Sequence, residues 1–326
     1  MKLAFSKYHG TGNDFILIDN RGGNIRLTRD QIALLCDRHL GIGADGLMFL
    51  NTREGYDFGM SYYNSDGNES TLCGNGGRCI TAFARSLDLI KFNARFTAID
   101  GEHTAEIINK IGEITSIRLK MSDIDKSKIQ ELKSKIQNPK SKIIYHTSSL
   151  VPRPSSFVIN TGSPHCLIFM EDTSAIDVGQ EGRKIRYDTV FEPEGTNVDF
   201  VQILENNHLF VRTYERGVED ETLSCGTGVT AAALAYAIIK LQAMRHEAHG
   251  IDHQASGIRY PASRIGVEIP GTRDSIRIET RGGLLTVTFR HEADRFTDIW
   301  LEGPAEFVFK GEIEVNRETK DVRRKM

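Results

Sequence analysis

The chain has 326 residues, a length that accommodates two domains of ordinary size with a substantial buried core. Its 41 Lys and Arg residues nearly balance 44 Asp and Glu residues, and the formal net charge of −3 excludes a surface built to wrap nucleic acid or coat an anionic membrane. Five cysteines without a C-x-x-C pair exclude a disulfide framework. The N-terminal residues lack an apolar stretch of signal-peptide length, so we expect a cytoplasmic protein.

The first half of the sequence predicts strands and helices in alternation. Phe15–Asp19 has the composition of a buried strand, and Thr28 is a candidate N-cap for a following helix. The expected buried face of that helix comprises Ile32, Leu35, Cys36 and His39. Two further short strands are predicted at Leu47–Leu50 and Gly59–Tyr63.

The second half is richer in predicted strands. Short β-branched or aromatic runs occur in FVINTG, HCLIFM, NVDFVQIL and HLFVRTY, and again near the C-terminus in SIRIET, GLLTVTF, DIWLEG and EFVFKGEIEV. A segment rich in Lys and Ser separates the two halves and predicts a linker. The last residues have the composition of a solvated tail.

An internal duplication is the most informative feature of the sequence. CGNGGRCITAFA begins at Cys73 and CGTGVTAAALAY begins at Cys225, so each half has a Cys-Gly-polar-Gly turn that opens a predicted helix. Asn64 precedes Cys73 by the same number of residues as Arg216 precedes Cys225. Two similar halves with one such cysteine each predict a pseudo-twofold molecule.

Both cysteines lie where a helix start favours reactivity. The first turn of a helix leaves backbone N–H groups without partners and carries partial positive charge, which favours a thiolate and a bound carboxylate. Inversion of a stereocentre with an acidic hydrogen needs a base on one face and an acid on the other, and a thiolate with a thiol supplies that pair. The sequence therefore predicts chemistry that needs no cofactor and no metal.

Five motifs resemble those of the diaminopimelate epimerase family, in its order. They are KYHGTGNDFILID, YNSDGNESTLCGNGGRC, TGSPHC, TNVDFVQI and VRTYERGVEDETLSCGTG. The family interconverts LL- and meso-2,6-diaminopimelate without a cofactor, in lysine and peptidoglycan precursor biosynthesis. The resemblance implies the same activity here, with the small molecule diaminopimelate as substrate and a homodimer in the cytoplasm.

The resemblance also implies roles for individual residues. Cys73 and Cys225 match the acid and base, and His165 with Glu215 is expected to support proton transfer. The remaining matched positions are expected to bind substrate: the backbones of Gly74, Asn75, Gly226 and Thr227 at the α-carboxylate, Arg216 at the distal carboxylate, and Asn13, Asn64, Ser163, Asn197 and Glu215 at the polar ends.

The implied fold is α/β (α+β), with two pseudo-symmetric domains, each a curved mixed sheet or barrel around a central helix. We expect residues 1–122 with about 304–316 to form one domain, 123–156 a linker, 157–303 the second domain with a late insertion near 243–281, and 317–326 a tail. Two positions depart from the family pattern: Ser163 stands where Asn is frequent, and Gly46 where some members have Gln.

Two alternatives stay open at this point. A proline or hydroxyproline racemase uses a similar pair of cysteines, although the HGTGNDF and YERG elements favour diaminopimelate. A noncatalytic amino-acid-binding protein on the same scaffold is the other alternative, but binding alone does not require two thiols. The run Gly41–Gly46 fits G-x-G-x-x-G but follows a predicted helix, so we do not interpret it as a dinucleotide site.

Overall fold

The computed structural model describes residues 1–132, 156–248, 273–292 and 295–315. The chain divides into two compact units. Unit 1 comprises residues 1–120 with the residues from 302 onward, and unit 2 comprises residues 121–301.

Unit 1 is a closed β-barrel. Its strands are β1 (Lys2–Gly10), β2 (Asn13–Asp19), β3 (Gly46–Asn51), β4 (Phe58–Asn64), β5 (Glu69–Ser70), β6 (Asn93–Ala98), β7 (Gly101–Ile111), β8 (Ile114–Lys120) and the end of the last described strand, β18 (Arg295–Glu314). Neighbours pair in the order β1, β2, β3, β4, β6, β7, β8 and β18, and β18 pairs back with β1. The β2–β3 and β4–β6 pairs are parallel and the others antiparallel.

A buried helix lies against the strands of this barrel. Helix α2 (Gly74–Ser86) contacts β1, β2, β3, β7 and β8. Every residue from Gly74 to Ala84 is buried, so the helix has no solvated face over its first three turns. Such a helix can exist in a water-soluble domain only when other elements surround it. The first turn of α2, which follows the N-cap Cys73, is therefore enclosed by the barrel strands.

Helix α1 (Arg29–Cys36) begins as predicted and ends earlier than predicted. Thr28 and Gln31 form a capping box at its start, which confirms the predicted N-cap. The expectation that His39 belongs to the buried helical face is wrong, because α1 ends at Cys36 and His39 is exposed. The side chain of Asp37 accepts hydrogen bonds from the backbone N–H groups of His39 and Leu40, and this local turn competes with another helical turn.

Unit 2 repeats the strand pairing of unit 1. Its strands are β9 (Ile124–Asp125), β10 (Ile129–Leu132), β11 (Ser156–Asn160), β12 (Pro164–Met170), β13 (Asn197–Glu205), β14 (His208–Glu215), β15 (Asp220–Thr222), β16 (Asp274–Thr280) and β17 (Gly283–Glu292). The β12–β13 and β14–β16 pairs are parallel, as are their counterparts β2–β3 and β4–β6. This recurrence confirms the duplication inferred from the sequence.

The core of unit 2 surrounds a second buried helix. Helix α4 (Gly226–Ala248) contacts β11, β12, β13, β14, β16 and β17. Its residues Val229–Ala235 are buried and pack with strand residues such as Phe289. A shorter helix, α3 (Val178–Arg186), contacts β13 and β14. None of the helices in the described ranges is both long enough and apolar enough to cross a membrane. The two barrel-like units, each with its own enclosed helix, confirm the predicted fold class.

Several predicted boundaries fall on parts of the chain outside the described residues. In the predicted linker 123–156, residues 124–132 form β9, a short 3-10 turn and β10, and residues 133–155 lie outside the described part. In the predicted insertion 243–281, α4 continues to Ala248 and Asp274–Thr280 forms β16, whereas 249–272 lie outside it. The predicted tail 317–326 also lies outside it.

Candidate active site

Cys73 is the N-cap residue of α2. Its backbone is extended (φ −100°, ψ 146°), and its sulfur accepts a hydrogen bond from the Gly76 N–H at 3.1 Å. An N–H donor at this distance stabilises a thiolate more than a thiol, because the added negative charge strengthens the bond. A Cβ on residue 76 would displace the end of the Met48 side chain and would lie 3.2 Å from the Cys73 sulfur, so glycine leaves room for this approach.

The side-chain amide of Asn13 faces the same sulfur. Its Oδ1 lies 3.8 Å from Cys73 Sγ and accepts from Asn75 Nδ2 at 3.4 Å, while its Nδ2 donates to Asp45 Oδ2 at 2.6 Å. The Asp45 carboxylate can only accept, so it fixes which end of the Asn13 amide points toward the cysteine. Cys73 in its thiol form therefore has an acceptor, and in its thiolate form the donor Gly76.

A network of charged residues includes Asp45 and fixes its position. Arg38 donates to Asp45 at 2.7 Å and makes two hydrogen bonds to Asp14, and the buried Lys7 pairs with Asp14 at 2.8 Å and with the Gly43 carbonyl. Burial alone would raise the pKa of Asp14, but the hydrogen bonds from Arg38 and Lys7 lower it to about 2. This network holds the Gly41–Gly46 loop, which carries Asp45, against the start of β2.

Arg78 is fully buried in α2 and organises the first turn of the helix. Its guanidinium donates to Asn75 Oδ1 at 2.9 Å, to the Gly74 carbonyl at 3.3 Å and to the Pro304 carbonyl at 3.2 Å. Burial lowers the pKa of Arg78 to about 10, partly offset by Cys79 and Cys73, so the side chain stays cationic at neutral pH. Sequence reasoning missed this residue.

Asn64 and Gly46 are cross-strand partners at the ends of β4 and β3. Asn64 is exposed and its backbone closes the turn to Gly67 and Asn68. A Cβ at Gly46 would lie 2.5 Å from the Tyr62 ring. The Tyr62 ring therefore fills the space that the first atoms of a Gln side chain at position 46 would occupy.

Cys225 directly precedes α4 and is buried. Its sulfur lies 3.3 Å from the Thr227 hydroxyl. Burial and the nearby Glu215 raise the pKa of the Cys225 thiol, while the hydrogen bond and charge of His165 act in the opposite direction. The neighbours of the Cys225 sulfur are thus a hydroxyl and an imidazole, whereas those of the Cys73 sulfur are a backbone N–H and a side-chain amide.

His165 lies at the start of β12 and is fully buried. Its Nε2 is 2.8 Å from Thr227 Oγ1 and its Nδ1 is 2.7 Å from Asp199 Oδ2. Asp199 is also fully buried, and its other oxygen accepts from the Thr213 hydroxyl at 2.7 Å on the paired strand β14. Sequence reasoning missed Asp199. The available signal was an acidic residue between Val198 and Phe200 in a predicted strand.

The first turn of α4 is shaped to fit this cluster. A Cβ at Gly228 would lie 2.5 Å from Asp199 Oδ1 and 3.2 Å from the His165 ring. The Thr161 hydroxyl donates to the Thr227 carbonyl at 2.9 Å, which ties the TGSPHC turn to the same helical turn.

Asn197 connects two other predicted binding positions, Ser163 and Arg216. Its Nδ2 donates to Ser163 Oγ at 2.6 Å and to the Pro164 carbonyl at 2.9 Å, and its Oδ1 accepts from the Arg216 N–H at 2.8 Å. Most of the hydrogen-bonding capacity of this amide is therefore used within unit 2. Ser163 has the reach to meet Asn197, so the departure from Asn at this position keeps one hydrogen bond.

Strand β14 ends at Glu215, and Glu219 stabilises the turn that begins at Arg216. Glu219 accepts from the Gly217 N–H at 3.0 Å and from the Tyr187 hydroxyl at 2.9 Å, and its own N–H donates to the Glu215 carbonyl at 2.8 Å. Both Glu215 and Arg216 are half-buried, and the Arg216 guanidinium reaches the Glu194 carbonyl at 3.5 Å.

The structure brings together most of the predicted residues within each unit. In unit 1, Asn13, Gly74 and Asn75 surround Cys73, whereas the described hydrogen bonds of Asn64 are those of its own turn. In unit 2, His165 and Thr227 adjoin Cys225, and Ser163, Asn197 and Arg216 form a second connected group.

Comparisons with known proteins give a consistent family. The chain matches the diaminopimelate epimerase family model over residues 5–116 and 157–255. It is 41% identical over 317 residues to a protein named diaminopimelate epimerase from Flavobacterium psychrophilum, covering 96% of this chain and 100% of that protein. A protein of the same name from Chlorobaculum tepidum is 36% identical over 307 residues, covering 93% of this chain and 98% of that protein.

Solved structures with much lower identity share the fold. A Bacillus anthracis phenazine biosynthesis protein of the PhzF family matches with a TM-score of 0.65 at 13% identity, covering 97% of this chain and 100% of that chain. A hydroxyproline epimerase from Agrobacterium vitis matches with a TM-score of 0.61 at 15% identity, covering 96% of this chain and 92% of that chain. These two likenesses concern the fold alone, but the near full-length sequence matches show that the chain belongs to the diaminopimelate epimerase family of isomerases.

Proposed function

We infer that the chain interconverts LL- and meso-2,6-diaminopimelate without a cofactor, with Cys73 and Cys225 as its acid and base. The observation that carries this proposal is the recurrence of a cysteine at the start of each buried helix, each with its own hydrogen-bonding partners. The names of the full-length relatives support the choice of substrate. The pathway we assign is lysine and peptidoglycan precursor biosynthesis.

The reaction exchanges one proton at the α-carbon. In one direction the Cα–H bond breaks and an S–H bond forms at one cysteine, and then the S–H bond of the other cysteine breaks and a new Cα–H bond forms on the opposite face. After turnover the two sulfurs have exchanged their protonation states. The reverse reaction therefore uses the same residues with their roles interchanged.

The surroundings of the two sulfurs suit both protonation states. The Gly76 N–H and the cationic Arg78 favour a thiolate at Cys73, and the Asn13 oxygen can accept from its thiol. At Cys225, the Thr227 hydroxyl can donate to a thiolate or accept from a thiol. His165 and Glu215 act on this second sulfur with opposite signs.

The first turns of α2 and α4 are assigned to the α-carboxylate. Backbone N–H groups at a helix start have no acceptors within the helix, and the helix dipole places partial positive charge there. We assign the backbones of Gly74, Asn75, Gly226 and Thr227 to this role. As the α-proton leaves, negative charge grows on the carboxylate, and preoriented donors stabilise that charge.

We assign a second set of polar side chains to the distal end of the substrate. A guanidinium binds a carboxylate through two parallel hydrogen bonds, so Arg216 is our choice for the distal carboxylate. Asn13, Asn64, Ser163 and Glu215 are assigned to the remaining polar contacts. Asn197 is assigned mainly to holding Arg216 and Ser163, because its amide already serves both.

Incubation in deuterated water tests the reaction and its substrate together. With LL-diaminopimelate we expect deuterium at the α-carbon and formation of the meso isomer, followed by NMR and chiral chromatography. The rival racemase activity predicts exchange in L-proline or trans-4-hydroxy-L-proline instead. Tight binding of diaminopimelate in calorimetry without any exchange would identify a noncatalytic binding protein.

Cysteine variants test the mechanism. Cys73→Ala and Cys225→Ala should each abolish epimerisation while leaving the fold intact by circular dichroism. Cys166→Ala is the matched control, because Cys166 is buried next to His165 in sequence and burial raises its pKa, yet we assign it no chemical role. Full activity in either of the first two variants would rule out the two-cysteine mechanism. Retention of activity after dialysis against chelator checks that no metal is needed.

We also assign a homodimer as the working form, with the cytoplasm as its compartment. Sedimentation equilibrium at several protein concentrations should give the mass of two chains, and cell fractionation should recover the protein with the cytoplasmic fraction.

A further inference from the structure

A chain of hydrogen bonds extends from Cys225 into the interior of unit 2. Its links are Cys225 Sγ to Thr227 Oγ1 at 3.3 Å, Thr227 Oγ1 to His165 Nε2 at 2.8 Å, and His165 Nδ1 to Asp199 Oδ2 at 2.7 Å. The imidazole and the carboxylate at its inner end are fully buried. Burying two titratable groups is costly unless each has a partner, and this pair is in direct contact.

The geometry fixes the roles of the two imidazole nitrogens. The Asp199 carboxylate can only accept, so His165 Nδ1 carries a hydrogen and donates it. The nitrogen that gains or loses a proton is then Nε2, which faces Thr227. The Thr213 hydroxyl satisfies Asp199 Oδ1, so Oδ2 is directed at His165.

We propose that Asp199 is a positioning residue that keeps His165 an imidazolium, which stabilises the Cys225 thiolate through the Thr227 hydroxyl. This inference rests on the acid and base role proposed above for Cys225. In this arrangement the imidazolium Nε2–H donates to Thr227 Oγ1, and the Thr227 O–H donates to the Cys225 sulfur. The imidazolium charge lies beside the Asp199 carboxylate.

The charged groups around His165 favour the imidazolium. Burial alone would lower the pKa of His165, but Asp199 and the Cys225 sulfur raise it to about 10, so the imidazole carries both protons at neutral pH. Glu215 opposes the thiolate, because its negative charge raises the pKa of the Cys225 thiol. The charge of Asp199 acts directly on the sulfur in the same direction, but by less than His165 lowers that pKa. Without Asp199 the imidazolium would be lost, and burial and Glu215 would then keep Cys225 protonated.

Alkylation of Cys225 measures its thiolate fraction without any substrate. The full-length protein is treated with iodoacetamide between pH 6 and pH 10, and mass spectrometry follows the peptides of Cys225 and Cys73 separately. In Asp199→Asn we expect Cys225 to react about tenfold more slowly at neutral pH, with recovery at higher pH, because loss of the positive charge on His165 raises the pKa of Cys225 by about one unit or more. Cys73 in the same sample is the internal control and should keep its profile.

Two measurements separate positioning from a merely structural role. In Asp199→Asn we expect the pH profile of kcat to move in parallel with the Cys225 alkylation profile while KM changes little, whereas loss of packing alone would lower the rate equally at every pH. Thr227→Val should slow Cys225 alkylation as Asp199→Asn does, and Thr227→Ser, which keeps the hydroxyl, should restore it. If folded Asp199→Asn shows the same pH dependence of Cys225 alkylation as the wild-type protein, the proposal is overturned.

Nitrogen NMR of the wild-type protein tests the proposal even if the variants fail to fold. With ¹⁵N-labelled histidine, we expect His165 Nδ1 to be protonated between pH 6 and pH 10, and an unprotonated Nδ1 overturns the proposal. Epimerase activity is measured separately, as exchange in deuterated water. If the wild-type protein shows no exchange, but Asp199→Asn still changes the pH dependence of Cys225 alkylation, the proposed function is refuted and the role of Asp199 stands.

Discussion

The amide of Asn13 is held by the Asp45 carboxylate at 2.6 Å, with its oxygen directed at Cys73. The two residues come from β2 and from the loop before β3, and those strands pair in parallel. In unit 2 an aspartate holds the imidazole that adjoins Cys225. Each cysteine thus lies near a polar side chain whose orientation is set by a hydrogen bond to a carboxylate.

Removing the Asp45 carboxylate should therefore impair Cys73. We expect Asp45→Ala to lower kcat/KM at least tenfold, because hydrogen bonds to a charged group contribute about 1.5–3 kcal/mol and the Asn13 amide would be released. Asp45→Asn, which can still accept from Asn13 Nδ2, should lose less. Asp88→Asn, at an exposed aspartate after α2, is the control and should behave as wild type. Equal activity of Asp45→Ala and Asp88→Asn would contradict this account.

The Asp14 network predicts an acid-dependent loss of stability. The pKa of Asp14 is depressed to about 2 in the folded protein, so its stabilising contribution is present above the ordinary carboxyl pKa and is lost as pH falls from about 4 toward 2. We expect Asp14→Asn to cost about 2 kcal/mol of unfolding free energy at pH 7. Urea denaturation at several pH values measures this difference, which should shrink as the pH is lowered. A difference that is the same at pH 7 and pH 3 would count against the assignment.

Arg78 should be required for folding of unit 1. Arg78→Ala would leave a cavity and remove donors from the Gly74 and Pro304 carbonyls and from Asn75, at a cost of about 3 kcal/mol or more. Chemical denaturation followed by fluorescence measures the loss. Arg85→Ala, on the exposed part of the same helix, should change stability by less than about 0.5 kcal/mol.

Arg216 should determine recognition of the distal carboxylate. We expect Arg216→Ala to raise KM for diaminopimelate by about tenfold or more, with a smaller loss in Arg216→Lys, because lysine keeps the charge without the bidentate geometry. An amino acid that lacks the distal carboxylate should be affected much less by either substitution. If both substrates lose equally, Arg216 acts on the fold rather than on the distal group.

Two helical glycines offer a matched test of the space beside Asp199. Gly228→Ala in α4 should reduce both activity and stability, since the new Cβ would lie 2.5 Å from Asp199 Oδ1. Gly179→Ala in α3 meets nothing closer than 3.5 Å and should be neutral or stabilising by up to about 1 kcal/mol. Thermal unfolding and kcat of the two variants give the comparison. A stable and fully active Gly228→Ala would show that Asp199 has room to move.

The chemistry of the site was only partly visible in the residue pattern. The motifs singled out both cysteines and Thr227, because a cysteine before Gly-x-Gly at a helix start is a local arrangement, and the resemblance of TGSPHC to the family pattern pointed to His165. Asp199 and Asp45 were missed, since their partners His165 and Asn13 are more than thirty positions away. Asn197 was expected to hold substrate, and its partners Ser163, Pro164 and Arg216 became apparent only from the strand pairing.

The sequence by itself determined the duplicated architecture, since helical and strand periodicity and the two cysteine turns are properties of neighbouring residues. It did not determine where α1 ends, because the Asp37 side chain competes with the next helical turn. Tertiary structure decided which polar groups meet. Parallel pairing of β12 with β13 and of β2 with β3 brings each carboxylate to its amide or imidazole, and that register depends on how the whole sheet packs around its helix.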